Sequence, residues 1–177
     1  MQDITAEGTK LMATVLSPLA SFSLDTIVIT ILVIALSAFA FYAGKRSATS
    51  FIIALIGAHS MYAAFSFREK IIASLFPEQA FWVNVATFVI FFLILNIILR
   101  SMIHSDYPSG TMKFFQSITL GIASAGLLLA YYYHLLRGEV FVYNFSSGID
   151  TIFTAPMALF FWIAGSVALV FFLERRR

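Results

Sequence analysis

The chain has 177 residues, 60% of them hydrophobic and 11% charged, with a formal net charge of +2. A soluble domain of ordinary make-up carries about a quarter charged residues, so this composition argues against a water-soluble globule. The absence of cysteine removes disulfides, thiol nucleophiles and thiolate metal sites, and no basic block longer than the final Arg175, Arg176 and Arg177 suggests a nucleic-acid partner.

Residues 4–16 put Ile4, Leu11, Met12, Val15 and Leu16 on one helical face, apart from Asp3, Glu7 and Lys10. This predicts a short amphipathic helix lying on a membrane surface, with a frayed tail as the alternative. Pro18 disfavours helix in the residue before it and ends the segment at Ser17. Its acidic start does not resemble a cleavable signal peptide, so the segment is expected to be retained.

Beyond it, residues 26–44, 47–67, 79–99, 114–136 and 151–173 contain no Asp, Glu, Lys or Arg. Each stretch has roughly the 20 residues that a helix needs to cross hydrocarbon. A soluble helix of that length would show a polar outer face.

The first span is expected over 22–43, with Ser23 or Asp25 as a cap, and a basic turn of Gly44, Lys45, Arg46 and Ser47 leads to a second over 49–67. Residues 68–78 are too short to cross and read as an interfacial turn broken at Pro77. The third span covers 80–99 and stops at Arg100. A polar loop over 101–113 follows, with Pro108, Ser109 and Gly110 as turn residues.

The fourth span is 114–135. The loop over 137–150 carries the β-prone Val140, Phe141, Val142 and Tyr143, expected to dip into the interface. The fifth span is 154–173, with Pro156 in its first turn. The predicted fold is an all-α integral membrane protein, one domain over 1–177 with about five transmembrane helices, or four if one run lies flat.

Charge by alternate gaps gives an orientation. Lys45, Arg46, Arg100, Lys113 and Arg175 to Arg177 fall on one side, seven basic groups against the four of Lys10, Arg68, Lys70 and Arg137 on the other. The side richer in Lys and Arg is the cytoplasmic one. The expected location is the bacterial cytoplasmic membrane, with the N-terminus outside and the C-terminus inside.

Polar groups inside spans are costly and often functional. His59 lies near the middle of the second span; it reads either as a proton-relay or ligand group, or as a neutral imidazole bonded to Ser37, Ser124 or Ser166. Asp25 reads as a helix cap favoured by the N-terminal dipole, or as a functional carboxylate. Asn84 and Asn96 lie toward opposite ends of the third span and read as interhelical hydrogen-bond groups.

His104, Ser105 and Asp106 are read as a solvated loop rather than a metal or base site. Tyr131, Tyr132 and Tyr133 read as an aromatic belt. Ser117, Gly121 and Ala125 form a small-residue stripe on the fourth span, and Ala54 and Ala58 beside Gly57 form another on the second. Both predict close helix packing, within the chain or between subunits. Trp162, deep in the fifth span, is expected to pack against another helix or subunit. No catalytic, cofactor or metal site is predicted.

Leu24, Asp25, Thr26 and Ile27 at the head of the first span, with Gly44, Lys45 and Arg46 after it, resemble the first hairpin of the colicin V production protein family. Leu120, Gly121 and Ile122, followed by Ala125, are similar to that family's late glycine-rich helix. In the family's Gly-x-x-Arg-Gly turn the arginine comes later than Arg46, and glycine stands where this chain has Ser47. The resemblance implies a small inner-membrane protein used in toxin export or envelope upkeep, without catalytic residues to carry over.

The expected function is a non-enzymatic scaffold or subunit of an envelope or export complex, in contact with lipid and with other membrane subunits or further copies of itself. The alternative is a small oligomeric transporter or channel that uses His59. An intramembrane enzyme would need a nucleophile and base at one depth, and only Ser/His pairs without an acidic partner are available.

Overall fold

A computed structural model of the chain describes residues 24–65, 67, 80–103, 111–135, 145–155 and 157–175. The expected helix over 4–16, the turn over 68–78, His104 to Asp106, Val140 to Tyr143 and Pro156 lie outside the described residues. Those described form helices α1 (Leu24–Ala64), α2 (Ala80–Met102), α3 (Thr111–Leu135), α4 (Ser147–Thr154) and α5 (Ala158–Arg175), with no strand among them. α1, α2, α3 and α5 are each long and apolar enough to cross a bilayer.

α1 is two arms, residues 24–43 and 45–64, folded back on each other at Gly44. Phe39 and Phe51 bring their ring centroids to 5.7 Å, whereas twelve residues along a straight helix would part them by about 18 Å. Gly44 has φ 88° and ψ 161°, a region open essentially to glycine alone. The expected four-residue turn is therefore shortened to one residue. Lys45, Arg46 and Ser47 are already helical, and the second arm covers 45–64 rather than 49–67.

Three basic residues make contacts at this end of the bundle. Lys45, only 2% exposed, donates from Nζ to the Leu173 carbonyl at 3.0 Å and lies 3.6 Å from a Glu174 oxygen. A cation is well placed there, where the last carbonyls of α5 carry partial negative charge. Arg46 donates from Nε to the Arg100 carbonyl at 2.5 Å and from Nη2 to the Ser101 carbonyl at 3.3 Å. With its exposed carbonyls so met, α2 runs on to Met102 instead of stopping at Arg100. Lys113 opens the first turns of α3 and sits 4.3 Å from the Phe41 ring centroid.

α3 is the most buried of the long helices and lies against both arms of α1 and against α5. Ser117, Gly121 and Ala125 are all buried on it, and Ala54 and Ala58 are fully buried on the second arm of α1. A Cβ on Gly121 would fall 2.6 Å from Ser37 Cα, and one on Gly126 would enter the Trp162 ring. α2 packs along the second arm, where Gly57 admits Leu95 and Phe51 meets Phe92 edge-on at 5.2 Å. No α2 residue is buried, and Ile90, Leu93, Ile94 and Ile97 face outward.

The fifth span departs from expectation. Residues 147–154 form the separate short helix α4, because Ala155 takes extended angles (φ −54°, ψ 138°). That is the conformation proline imposes on the residue before it. α5 then starts at Ala158 rather than 154.

Two glycines test this packing. Gly121→Ala forces a Cβ onto the Ser37 backbone and is expected to lower stability by about 1–3 kcal/mol. Gly165→Ala meets nothing within 4 Å and should gain up to about 1 kcal/mol from helix propensity. Thermal unfolding in detergent reads both. At the basic end, Lys45→Met should lose about 1–3 kcal/mol, and Glu174→Gln less than about 1 kcal/mol because its carboxylate is partly solvated.

Candidate functional site

The end of the bundle opposite Lys45 carries Asp25, Asp150 and an unusual density of aromatic rings. Asp25 lies in the first turn of α1 and is 6% exposed. Its Oδ2 accepts from the backbone N–H of Ser146 at 2.7 Å, 121 residues away. Asp25 is thus a tie from α1 to the residue that precedes α4, in addition to its place at a helix N-terminus. Tyr133 donates to Asp150 Oδ1 at 2.5 Å, which joins α3 to the first turn of α4.

The three tyrosines of α3 do not form a lipid-facing belt. Tyr131 is 2% exposed and Tyr133 7%. Tyr133 stacks on Phe153 at 5.6 Å, and Phe153 on Trp162 at 5.6 Å, so the rings form a column beside Gly126. Tyr131 faces the other way, toward α1 and α2. The sequence carried a signal for this: Leu120, Leu127 and Tyr131 follow the 7 and 4 spacing of one helical face, and all three are buried together.

His59 stacks on Tyr131, with ring centroids 4.9 Å apart and planes 24° from parallel. It lies five residues, about 7.5 Å, before the end of α1 rather than in the middle of its arm, since that arm starts at 45. None of the expected hydroxyl partners reaches it. Ser124 donates to the Leu120 carbonyl, and Ser37 Oγ, Ser166 Oγ and His59 Nδ1 have no hydrogen-bond partner among the described residues. The imidazole is held by ring stacking.

Beside this pair, a crevice of about 440 Å³ lies between α1, α2 and α3. Val28 and Leu32 of the first arm, Val85 and Phe88 of α2, and Leu129 and Leu135 of α3 line it with carbon. Asn84 and Tyr131 also line it, and both Asn84 Oδ1 and the Tyr131 hydroxyl are buried without a partner among the described residues. The expected interhelical role of Asn84 is not seen among these residues. Asn96 does bridge helices: its Oδ1 lies 3.2 Å from Ser50 Oγ.

Asn96 and Ser50 belong to the half of the bundle near Gly44, so His59, Asp25 and Asn96 do not converge on one site. Among the described residues no three His, Asp or Glu side chains gather as metal ligands. No family model, curated protein or solved structure matches this chain.

The two faces of His59 separate by substitution. His59→Phe keeps a ring on Tyr131 and removes an unpartnered nitrogen, so stability should stay within about 1 kcal/mol of the parent or rise. His59→Ala removes the stack and should cost about 1–3 kcal/mol. Unfolding curves of the two variants in one detergent decide it.

Proposed function

We propose that the chain is a polytopic protein of the bacterial cytoplasmic membrane and acts by binding, as a scaffold or subunit of an envelope or export complex. The two arms of α1 with α2, α3 and α5 make five crossings, the end with Lys45 and Arg46 faces the cytoplasm, and the N-terminus lies outside. One observation carries the scaffold reading: among the described residues, polar side chains at each end of the bundle tie separate elements together. Lys45 holds α5, Arg46 holds α2, Asp25 holds Ser146, and Tyr133 holds Asp150.

Such a bundle is braced at both ends, and it leaves the outward faces of α2 and α5 for lipid or neighbouring subunits. The resemblance of the first hairpin to colicin V production proteins points to the same class of role. Its residues Asp25 and Gly44 are the ones that tie and turn that hairpin.

A chain without cysteine suits single-cysteine mapping. In intact cells, Gly148→Cys should react with an impermeant maleimide, and Ser101→Cys only after permeabilisation; both positions are exposed. The reverse pattern would invert the orientation. For the scaffold role, crosslinking in cells followed by mild-detergent purification should yield a discrete larger complex. A lone monomer without adducts would defeat it.

One observation favours a second reading, a small oligomeric transporter. His59 Nδ1 is unpartnered and its ring stacks on Tyr131, which lines the crevice. His59→Phe should then fold normally yet abolish proton-coupled flux in liposomes, whereas a scaffold would keep its complex.

A further inference from the structure

We infer that the groove between the first arm of α1 and the opening turns of α3 seats one acyl chain of an anionic phospholipid, whose phosphate meets Lys113. The inference rests on the membrane placement and orientation proposed above. The groove is a cavity of about 460 Å³, within the range that holds small ligands. Val33, Ile34, Ala38 and Tyr42 form its wall on α1, and Phe114 and Ile118 its wall on α3. Ile34, Tyr42 and Phe114 are exposed, so this wall is reached from outside the bundle, where the bilayer lies.

Length and register fit a single lipid chain. From Val33 to Tyr42 the helix rises about 13 Å, close to half of the ~30 Å hydrocarbon core. Tyr42 lies two residues before the corner at Gly44, and Phe114 lies in the first turn of α3. The groove therefore runs inward from the basic end and stops near mid-bilayer, the depth that an acyl chain of one leaflet reaches.

Charge at the same end specifies the head. Lys113 directly precedes Phe114, is half-buried, and holds its Nζ 4.3 Å from the centroid of the Phe41 ring. Phe41 is itself part of the groove wall, so the ammonium stands at the groove's edge. Its three N–H donors let it serve a phosphate oxygen alongside the partners it already has. Along the sequence, this end of the bundle also receives Lys45, Arg46, Arg100 and Arg175 to Arg177, against Asp106 and Glu174. A head of net negative charge gains from that excess. A choline head brings its own cation into it and gains less.

The same lysine disfavours a second copy as the occupant. Two copies inserted in one orientation and meeting through this groove are related by an axis along the membrane normal, which brings Lys113 against Lys113. Like charges so placed repel.

The full chain in phosphatidylcholine nanodiscs, photolabelled with a diazirine-tailed phosphatidylglycerol or with the matching phosphatidylcholine at equal mole fraction, tests the inference. The segments containing Ala38 and Phe114 should take about fivefold more adduct from phosphatidylglycerol, while both lipids label Ile90, Ile94 and Ile97 on the outward face of α2 alike. Lys113→Met keeps an alkyl stem on Phe41 and should erase most of the preference; Lys113→Arg should restore it. Salt at 1 M should also lower it, since screening then acts within about 3 Å. Ala38→Trp should fill the groove and lower adducts from both lipids, and the Lys113 pair remains decisive if that variant fails to fold.

If neither lipid labels the outward face of α2, the membrane placement fails and the inference with it. If that face is labelled while the groove segments show no preference for phosphatidylglycerol, or keep it in Lys113→Met, the lipid site alone is overturned. Tyr42→Cys separates the remaining occupant: copies that crosslink efficiently through this position, with the groove unlabelled, would assign it to a second chain and overturn the lipid.

Discussion

Everything in this bundle is arranged around the close approach of α3 to the folded α1. At Gly121 the two backbones come so near that a single methyl group would strike Ser37 Cα at 2.6 Å. Such contact lets dispersion forces act over the whole seam. Ala40, Ala48, Ile52, Leu55, Leu120 and Leu127 fill the seam. α5 then packs on the remaining side of α3 through Trp162 and Gly126, and α2 on the second arm of α1. The first contact sets where the others fall.

The two ends of this seam are closed by different chemistry. At one end cations meet helix-terminal carbonyls, an arrangement in which side-chain charge and backbone dipole reinforce each other. At the other, carboxylates meet donors: Asp25 takes a backbone N–H and Asp150 a tyrosine hydroxyl. Each kind includes a bond between elements far apart in sequence, Lys45 to Leu173 and Asp25 to Ser146, and such bonds brace the bundle against sliding of one helix past another. Between the ends the polar groups are few, and those that lack partners gather near the crevice and along the seam.

Much of the helix plan was legible in the sequence, because uncharged apolar runs of about twenty residues have the length and composition of membrane-crossing helices. The small-residue positions were equally plain, since spacing by four on a helix makes one stripe. Other features could not be read in that way. Lys45 looks like any solvated turn lysine; only the folding of α1 at one glycine puts its stem against α5. Three consecutive tyrosines point in three directions on a helix, so composition suggested a belt where two of them are in fact core. His59 moved toward the end of its arm for the same reason that Lys45 was buried: the turn is shorter than turn chemistry implies. Asn84 and Asn96 are alike in sequence, and only the register of α2 against α1 gives one a partner and leaves the other facing a crevice.

The single-residue corner at Gly44 has a mechanical consequence. A reversal with a flexible loop would let two helices tilt independently, because slack in the loop absorbs the difference. Here there is no slack, and each arm acts as a lever on the other through one fixed pair of backbone angles. Lys45, the next residue, is gripped by the last turn of α5, so rotation of that corner is also rotation of the C-terminal helix. A force applied to the second arm at His59, beside Tyr131 and the crevice, is thereby delivered about 20 Å away at the basic end.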